Sequence, residues 1–410
     1  MNAREAAEHM ELRTDLIQLP LDDELVVFCE DAQRLVGLNA PAALVFRALQ
    51  RGTSISQLPE IVSREGHLSL QSAERWVATT LDALRSHGMF ADQPVVESPT
   101  ADLTKNLHGV ARHVVDMPPF EPFVPASEKH YRLLGTHALI RCVHKDQARA
   151  VDAVLGHLAT EEEGAPDVLI EVRRVKMADG RLRNDVYRDG KPVAYAPRIH
   201  MLGPTVKSIL WQSAVNAHDF LFYIHAGVVG TGASCILLPA AAGSGKSSLT
   251  AALTHSGFRF YSDEVALIER DSFRVPPMPL AICIKSTGWD LMARYLPELH
   301  SMRAHAREDG KIVRYVPPPA DTARQAAVPV SHMIFPRYDK DAATEMQPLA
   351  RSEGLARLMS ECLALRARLE LATVESLVRW TERIECYSLT FSSLDEAVRL
   401  VQQVAGPVKS

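Results

Sequence analysis

The chain lacks any apolar run near the roughly 20 residues that cross a bilayer, and its start, Met1-Asn-Ala-Arg-Glu-Ala-Ala-Glu, lacks a signal-peptide core. Neither a membrane bundle nor an exported precursor fits, so a cytoplasmic protein without membrane partners is expected. No Cys-x-x-Cys pair occurs among the 6 cysteines (Cys29, Cys142, Cys235, Cys283, Cys362 and Cys386), which excludes the spacing of a zinc cluster and suits reduced thiols. Charge of one sign is also missing. With 45 Lys and Arg against 50 Asp and Glu the formal net charge is -5, too weakly acidic for general affinity to a polyanion such as nucleic acid. At 47% apolar and 23% charged residues the composition excludes disorder, and 410 residues at about 150 per domain point to two or three domains.

Up to about residue 92 the pattern is a small unit of its own. Leu16-Ile17, Leu19 and Leu25-Val26-Val27-Phe28 are short β-rich bursts around the acidic turn Asp22-Asp23-Glu24. Asn39 can cap a helix with Pro41 in its first turn. Two more amphipathic stretches follow, near Ser56 to Arg64 and Ser69 to Ser86, and Gly88 can end the last. A strand group followed by three helices resembles a winged helix. The third helix carries Glu74-Arg75 and Arg85 rather than a basic recognition face, which disfavours a DNA reader, and a structural cap is the bland alternative. Residues 93–127, with Pro94, Pro99, Pro118, Pro119, Pro122 and Pro125, read as an extended connector.

Residues 128–410 read as a mixed sheet flanked by helices. Hairpin signals stand at Asp179-Gly180 and Asp189-Gly190, and two apolar strands cover Phe220 to Ile224 and Cys235 to Pro239. The second feeds Ala240-Ala241-Ala242-Gly243-Ser244-Gly245-Lys246-Ser247-Ser248, the strand, glycine loop and helix order of a P-loop. Gly243 and Gly245 let backbone N–H groups converge on phosphates, Lys246 adds a point charge, Ser247 can hold Mg2+ and the helix start favours an anion. Ala240 replaces the first glycine of the full pattern. One helix later, Ser262-Asp263-Glu264 puts two carboxylates before an apolar strand, placed to accept a hydroxyl proton or to hold metal. His225 precedes the strand pair that leads into the loop. The tail is expected to form a helix over Leu355 to Leu371, another over Val374 to Arg383, a strand over Glu385 to Phe391 and a closing helix over Ser393 to Val404.

Two resemblances follow from these residues. Leu12 to Phe90 resembles the PqqD-like peptide-recognition domains, which implies a leader peptide held as an added strand beside the third helix. His225-Ala-Gly, Gly243-Ser-Gly-Lys-Ser and Ser262-Asp263-Glu264 resemble the HPr kinase/phosphorylase-like kinases from about His130 to the end. That likeness implies ATP and Mg2+ as cofactors, Asp263 as proton acceptor from a serine and His225 in support of it. It further implies Gly243 to Ser248 on the nucleotide, and Ser247, Asp263 and Glu264 toward the metal. The family's Arg-Gly-x-Gly-x-x-Asp segment is missing, and Lys285, Arg314 and Arg337 are the candidates to supply its positive charge.

The expected fold is therefore α/β (α+β), a winged-helix PqqD-like domain over 1–92 and an HPr-kinase-like P-loop domain over 128–410. The expected function is phosphorylation of a hydroxyl, a serine first, on a ribosomally made precursor peptide. A nucleotide-gated peptide chaperone without phosphoryl transfer and a small-metabolite enzyme are the alternatives. Homo-oligomerisation, which such kinases often show, is left open.

Overall fold

The computed structural model describes residues 10–95, 117–162, 164–365 and 367–406. The chain is mixed α/β and falls into two compact units. One combines the chain up to residue 105 with 331–333 and 347–388, and the other combines 106–330 with 334–346 and 389–410. Residues 96–116 of the expected connector lie outside the described residues.

In the first unit, β1 (Ile17–Leu21), β2 (Glu24–Cys29) and β3 (Arg34–Leu38) form an antiparallel sheet in that order. Asp22 turns the first hairpin at a φ of 55°, a left-handed conformation that aspartate tolerates better than most residues. Helix α1 (Ala40–Gln50) starts at Asn39, whose side chain accepts a hydrogen bond from Ala42 N at 3.2 Å. After α2 (Leu58–Glu65), Ser69 caps α3 (Leu70–Ser86) through the Ser72 amide. Leu25, Val27, Val36 and Leu38 on one face of the sheet share a core with Phe46, Leu49, Val62, Val77 and Leu84 of the helices.

The opposite face is covered as well. Val26 and Phe28 point away from that core by the period-two rule, yet both are fully buried. The helix Arg351–Ser360 lies against β2 and β3. Glu24 accepts from the amides of Arg351 at 3.1 Å and Ser352 at 2.7 Å, capping that helix start with a carboxylate. Gln33, 2% exposed, donates to the Leu369 carbonyl at 2.9 Å and accepts from the Leu369 amide at 2.8 Å. Residues 347–388, read from sequence as part of the second domain, thus pack with the first. The tail also differs locally. Its expected helix over Leu355 to Leu371 stops at Ser360, and Cys362–Leu365 is a strand in which Cys362 and Leu365 are buried and Leu363 is exposed.

Gly37 on β3 sits directly against the Ser352 backbone, where a Cβ would collide with the carbonyl group. Gly37→Val should cost about 2 kcal/mol through overpacking against main chain that has little room to yield, seen as a lower thermal unfolding midpoint of the full chain. A midpoint equal to the parent's would mean that the helix does not rest on this strand.

In the second unit, residues 117–126 are part of the packing rather than free connector. The Phe120 ring stands edge-on to Tyr187 at 5.4 Å, and the Tyr187 hydroxyl donates to the Pro118 carbonyl at 3.1 Å. A first sheet orders Ala159–Thr160, β4 (Ser127–Leu133), β5 (Thr136–Cys142), β6 (Val168–Lys176), β7 (Leu182–Arg188) and β8 (Lys191–Ala196), with β5 and β6 parallel. Helices α4 (Lys145–Leu155) and α5 (Ile199–Asn216) pack on each other beside it. Asp189 and Gly190 both take positive φ, 51° and 72°, as the tight β7–β8 hairpin requires.

β9 (Phe220–Ile224) pairs with β13 (Ala266–Glu269). A second sheet runs β12 (Arg259–Ser262), β10 (Ala226–Gly230), β11 (Cys235–Pro239) and β16 (Val328–Tyr338). Helix α6 (Lys246–His255) follows β11, and β14 (Ile282–Lys285) pairs with β15 (Ile312–Val316). Among the described residues no helix is long and apolar enough to cross a membrane.

Candidate active site

The strand β11 is buried along its whole length and ends at Pro239, so the chain leaves the core and turns through 240–245 before α6 begins at Lys246. Gly243 (φ 101°) and Gly245 (φ 84°) take backbone conformations that other residues avoid. At Gly245 a Cβ would stand 2.7 Å from Phe391 Cζ and 3.1 Å from Tyr338 Cβ. The Tyr338 amide donates to the Ser244 carbonyl at 2.9 Å, which pins the loop between those rings and the helix start. The opening turn of α6 leaves N–H groups without helical partners, and that end of the helix carries partial positive charge.

Behind the loop, Gly227 on β10 meets α6 so closely that a Cβ there would strike Thr250 Oγ1 and lie 3.4 Å from Lys246 Cγ. The glycine of His225-Ala-Gly therefore lets the helix settle on the sheet and directs Lys246 inward. Lys246 is 7% exposed and donates from Nζ to the Asp263 carbonyl at 3.4 Å.

Asp263 follows β12 and is 4% exposed. Its Oδ2 accepts from Cys283 N at 3.0 Å, while its Oδ1 is buried without a hydrogen-bond partner. Burial pushes this carboxyl above the usual aspartate range, against the opposing pull of Lys246, the Cys283 amide and Ser247. Glu264, next in the chain, behaves in the opposite way. Lys207 of α5 forms an ion pair with it and Arg307 stands 3.9 Å away, so the charge of Lys207 above all holds its carboxyl down at about 2. His225 is driven down to about 4 by burial and by Lys246, and so is neutral at neutral pH. Lys285 is lowered too, by burial first and then by Lys311 and Lys246.

The two acids therefore differ in state. Glu264 is anchored by cations and stays charged, whereas Asp263 offers an unpartnered buried oxygen. Lys207→Met should release Glu264 toward an ordinary carboxylate and cost about 2 kcal/mol at neutral pH, less than for a fully enclosed pair because Glu264 is partly open to the cavity. A depressed folded-state value stabilises the fold above the unfolded carboxylate range, near 4.3, and that stabilisation is lost as pH falls toward about 2. Unfolding midpoints of parent and variant should therefore differ at pH 7 and converge in acid. Equal midpoints at pH 7 would refute the pair's contribution.

Loop, acids and cations surround one cavity of about 440 Å³. His225, Gly243, Gly245, Lys246, Ser247, Ser248, Asp263, Glu264 and Lys285, all expected from the sequence, line it. Three expected residues do not. Ser244 keeps its Oγ buried without a partner. Arg314 stacks its guanidinium 3.7 Å above the Trp289 ring centroid. Arg337 is exposed, with Asp339 4.0 Å away.

In their place the wall carries Arg307 and Lys311, which flank the turn at Gly310 (φ 77°) and both reach Asp309, at 3.5 Å and 2.8 Å. Sequence reasoning missed this pair because only β14–β15 pairing brings the turn to the loop. Lys207 left a signal. It is the one lysine of an apolar helix in which Leu202, Val206 and Leu210 are fully buried, and a lysine so placed needs an acid.

Lys246, Lys285, Arg307 and Lys311 surround two acids, one of which already has Lys207. This excess of positive charge and the open amides of the helix start suit a polyphosphate. Among the described residues no three His, Cys, Asp or Glu side chains gather as a metal cage. The donor set fits instead the few protein ligands that Mg2+ takes when phosphate oxygens and water supply the rest. Asp263 Oδ1 and the Ser247 hydroxyl are the groups that would hold it. No model of a known protein family and no curated protein matches the chain.

Proposed function

We propose that the chain is an ATP-dependent kinase of the HPr-kinase-like kind, transferring the terminal phosphoryl group to a hydroxyl, a serine first, of a precursor peptide held by its first unit. The observation that carries the proposal is the unpartnered buried Oδ1 of Asp263 in the same cavity as Lys246, Ser247 and two left-handed glycines. A buried acceptor oxygen is costly unless a ligand completes it.

In this reading the 243–248 amides and Lys246 hold the phosphates, and Ser247 with Asp263 holds Mg2+, which supplies charge neutralisation when bound. Asp263 takes the proton from the acceptor hydroxyl. The acceptor oxygen then bonds to the γ-phosphorus as the bond to the β-phosphate bridging oxygen breaks, releasing ADP. Phosphoryl transfer spreads charge over the equatorial oxygens, and Arg307, Lys285 and Lys311 are the cations that would meet it there. Neutral His225 supports Asp263 without adding charge. Glu264 serves to hold Arg307, since Lys207 already keeps it ionised.

The peptide arm of the proposal draws on β3, which among the described residues is the last strand of its sheet. An extended peptide can add there through main-chain hydrogen bonds. The winged-helix and P-loop assignments belong to the same proposal. Incubation with γ-labelled ATP, Mg2+ and peptides encoded beside this chain tests it. Label in a peptide serine supports the kinase. Peptide and nucleotide binding without label would replace it by the nucleotide-gated chaperone.

A further inference from the structure

Part of the wall of the loop cavity carries no charge. Tyr338 ends β16 and Phe391 ends the strand Glu385–Phe391, and both lie against Gly245. Leu291 reaches the same cavity from the short helix Trp289–Met292. Tyr338 is 46% exposed and Leu291 38%, so two large side chains leave apolar surface open to one space. The buried Phe391 ring stands edge-on to that of Tyr338 at 5.7 Å and backs it.

The phosphate segment gives a ligand its direction. Ser247 faces Asp263, where the transferred group belongs in the reading above. Ser248, about 100° further round the helix, faces Gly288, where a Cβ would stand 3.7 Å from its Oγ. Leu291 lies three residues beyond Gly288. A nucleoside that leaves the loop on the Ser248 side therefore enters the uncharged part of the cavity.

Little on that side can read the edge of a base. Main-chain groups of the aromatic wall are already used: the Tyr338 amide donates to Ser244, the Phe391 carbonyl accepts from Asp339, and the Ser392 amide donates to Thr344 Oγ1. The polar side chains there are the hydroxyls of Ser248, Thr287, Tyr338 and Ser392. A hydroxyl gives or takes a hydrogen bond alike, whereas telling adenine from guanine requires a fixed donor or acceptor. Among the described residues no Asn or Gln lines the cavity, and its charged side chains are assigned to the phosphates and the transfer.

We propose that the phosphoryl donor is a nucleoside triphosphate of any base, held by its phosphates and by stacking of the base between Tyr338 and Leu291. This rests on the kinase reading and widens its donor from ATP to that class. Stacking serves every base because each has a π-face, while a site that pairs with one edge rejects the wrong partner by about 10⁴-fold.

The test is competition of ATP, GTP, CTP, UTP and inorganic tripolyphosphate, each with Mg2+, against a fluorescent ATP analogue on the full chain. ATP and GTP should bind within about fivefold of each other, with CTP and UTP weaker by up to about tenfold because their rings offer less surface. Tyr338→Ala should weaken all four nucleotides about tenfold, the effect of one lost base–aromatic stack, and leave tripolyphosphate unchanged. Alanine keeps the Cβ beside Gly245 and the amide that holds Ser244, so an unchanged tripolyphosphate affinity reports an intact loop. Tyr338→Phe should bind like the parent.

Selection of one base by more than about 50-fold would overturn the proposal. So would a Tyr338→Ala variant that binds ATP like the parent, or one that loses tripolyphosphate as much as ATP. In each of those cases the phosphate cradle and the kinase reading stand. A parent chain that binds none of the five, tripolyphosphate included, overturns the cradle and the base site together.

Discussion

Asp263→Asn should lower phosphoryl transfer by about 10³-fold, within the range that a positioned general base supplies, while affinity for nucleotide without Mg2+ changes little and any loss of Mg2+ affinity is read separately. The amide keeps an oxygen for the Cys283 amide and nearly the same volume, so the fold loses almost nothing. What it lacks is a second basic oxygen. In the parent, that oxygen is buried and unpartnered beside Lys246, and nothing else among the described cavity residues can take its place. Glu264 is bound by Lys207 and Arg307 and held at about 2, a weaker base than an unperturbed carboxylate. His225 is held near 4 by burial first and then by Lys246, with Lys285 and Arg307 also beside it. Rates would be measured as labelled peptide under single-turnover conditions, with nucleotide binding read on the same samples. Transfer within about tenfold of the parent would remove Asp263 from the chemistry and the proposed mechanism with it.

Gly245→Ala should weaken nucleotide binding by about 10- to 100-fold. A left-handed φ of 84° imposes strain of about 1–3 kcal/mol on a residue with a Cβ, and each 1.4 kcal/mol is a factor of ten. The new methyl would also meet Phe391 Cζ at 2.7 Å, so the loop must shift and its amides no longer converge. Gly243 provides the comparison. Its φ is 101° but a Cβ there meets nothing within 4 Å, so Gly243→Ala should lose less affinity. Adding Phe391→Leu to Gly245→Ala should recover part of the loss, because it relieves the collision and leaves the backbone strain. Binding of a fluorescent ATP analogue gives all four values. If Gly245→Ala binds like the parent, the loop is not a phosphate cradle.

Much of the cavity was legible in the sequence because its parts are local. Gly243 to Ser248 make their geometry within one turn of chain, and Asp263 is one helix and one strand away from them, a distance that a repeating strand–helix unit fixes. Lys285 was identified as a cation at the end of a strand and does line the wall. Arg314 and Arg337 were chosen on the same grounds and do not, because residue type carries no information on which face a strand turns inward. Arg314 is spent on Trp289, and Arg337 faces solvent with Asp339. Arg307 and Lys311 depend on pairing between strands far apart in sequence, for which no local cue exists.

In the first unit, the Asn39 cap sets a helix start as expected, since capping is decided by neighbours within three residues, and Ser69, where the last amphipathic stretch was expected to begin, caps α3. The tail was misplaced for a physical reason that the sequence did contain. Leu25-Val26-Val27-Phe28-Cys29 is apolar without alternation, the mark of a strand covered on both faces, and three helices on one side cannot provide both covers.

That double cover bears on how such chains are reshuffled. An amino-terminal module that ended at residue 92 would be portable, exchangeable between proteins by a crossover in the proline-rich stretch. Here Gln33 and Glu24 spend their hydrogen bonds on residues contributed some three hundred positions later, and β2 and β3 rest on the helix Arg351–Ser360. A graft of the amino-terminal portion onto another catalytic body would leave those side chains without counterparts, so recombination that preserves folding has to carry the stretch around Arg351 to Leu369 along with it. The two ends of the gene are thereby inherited as a pair.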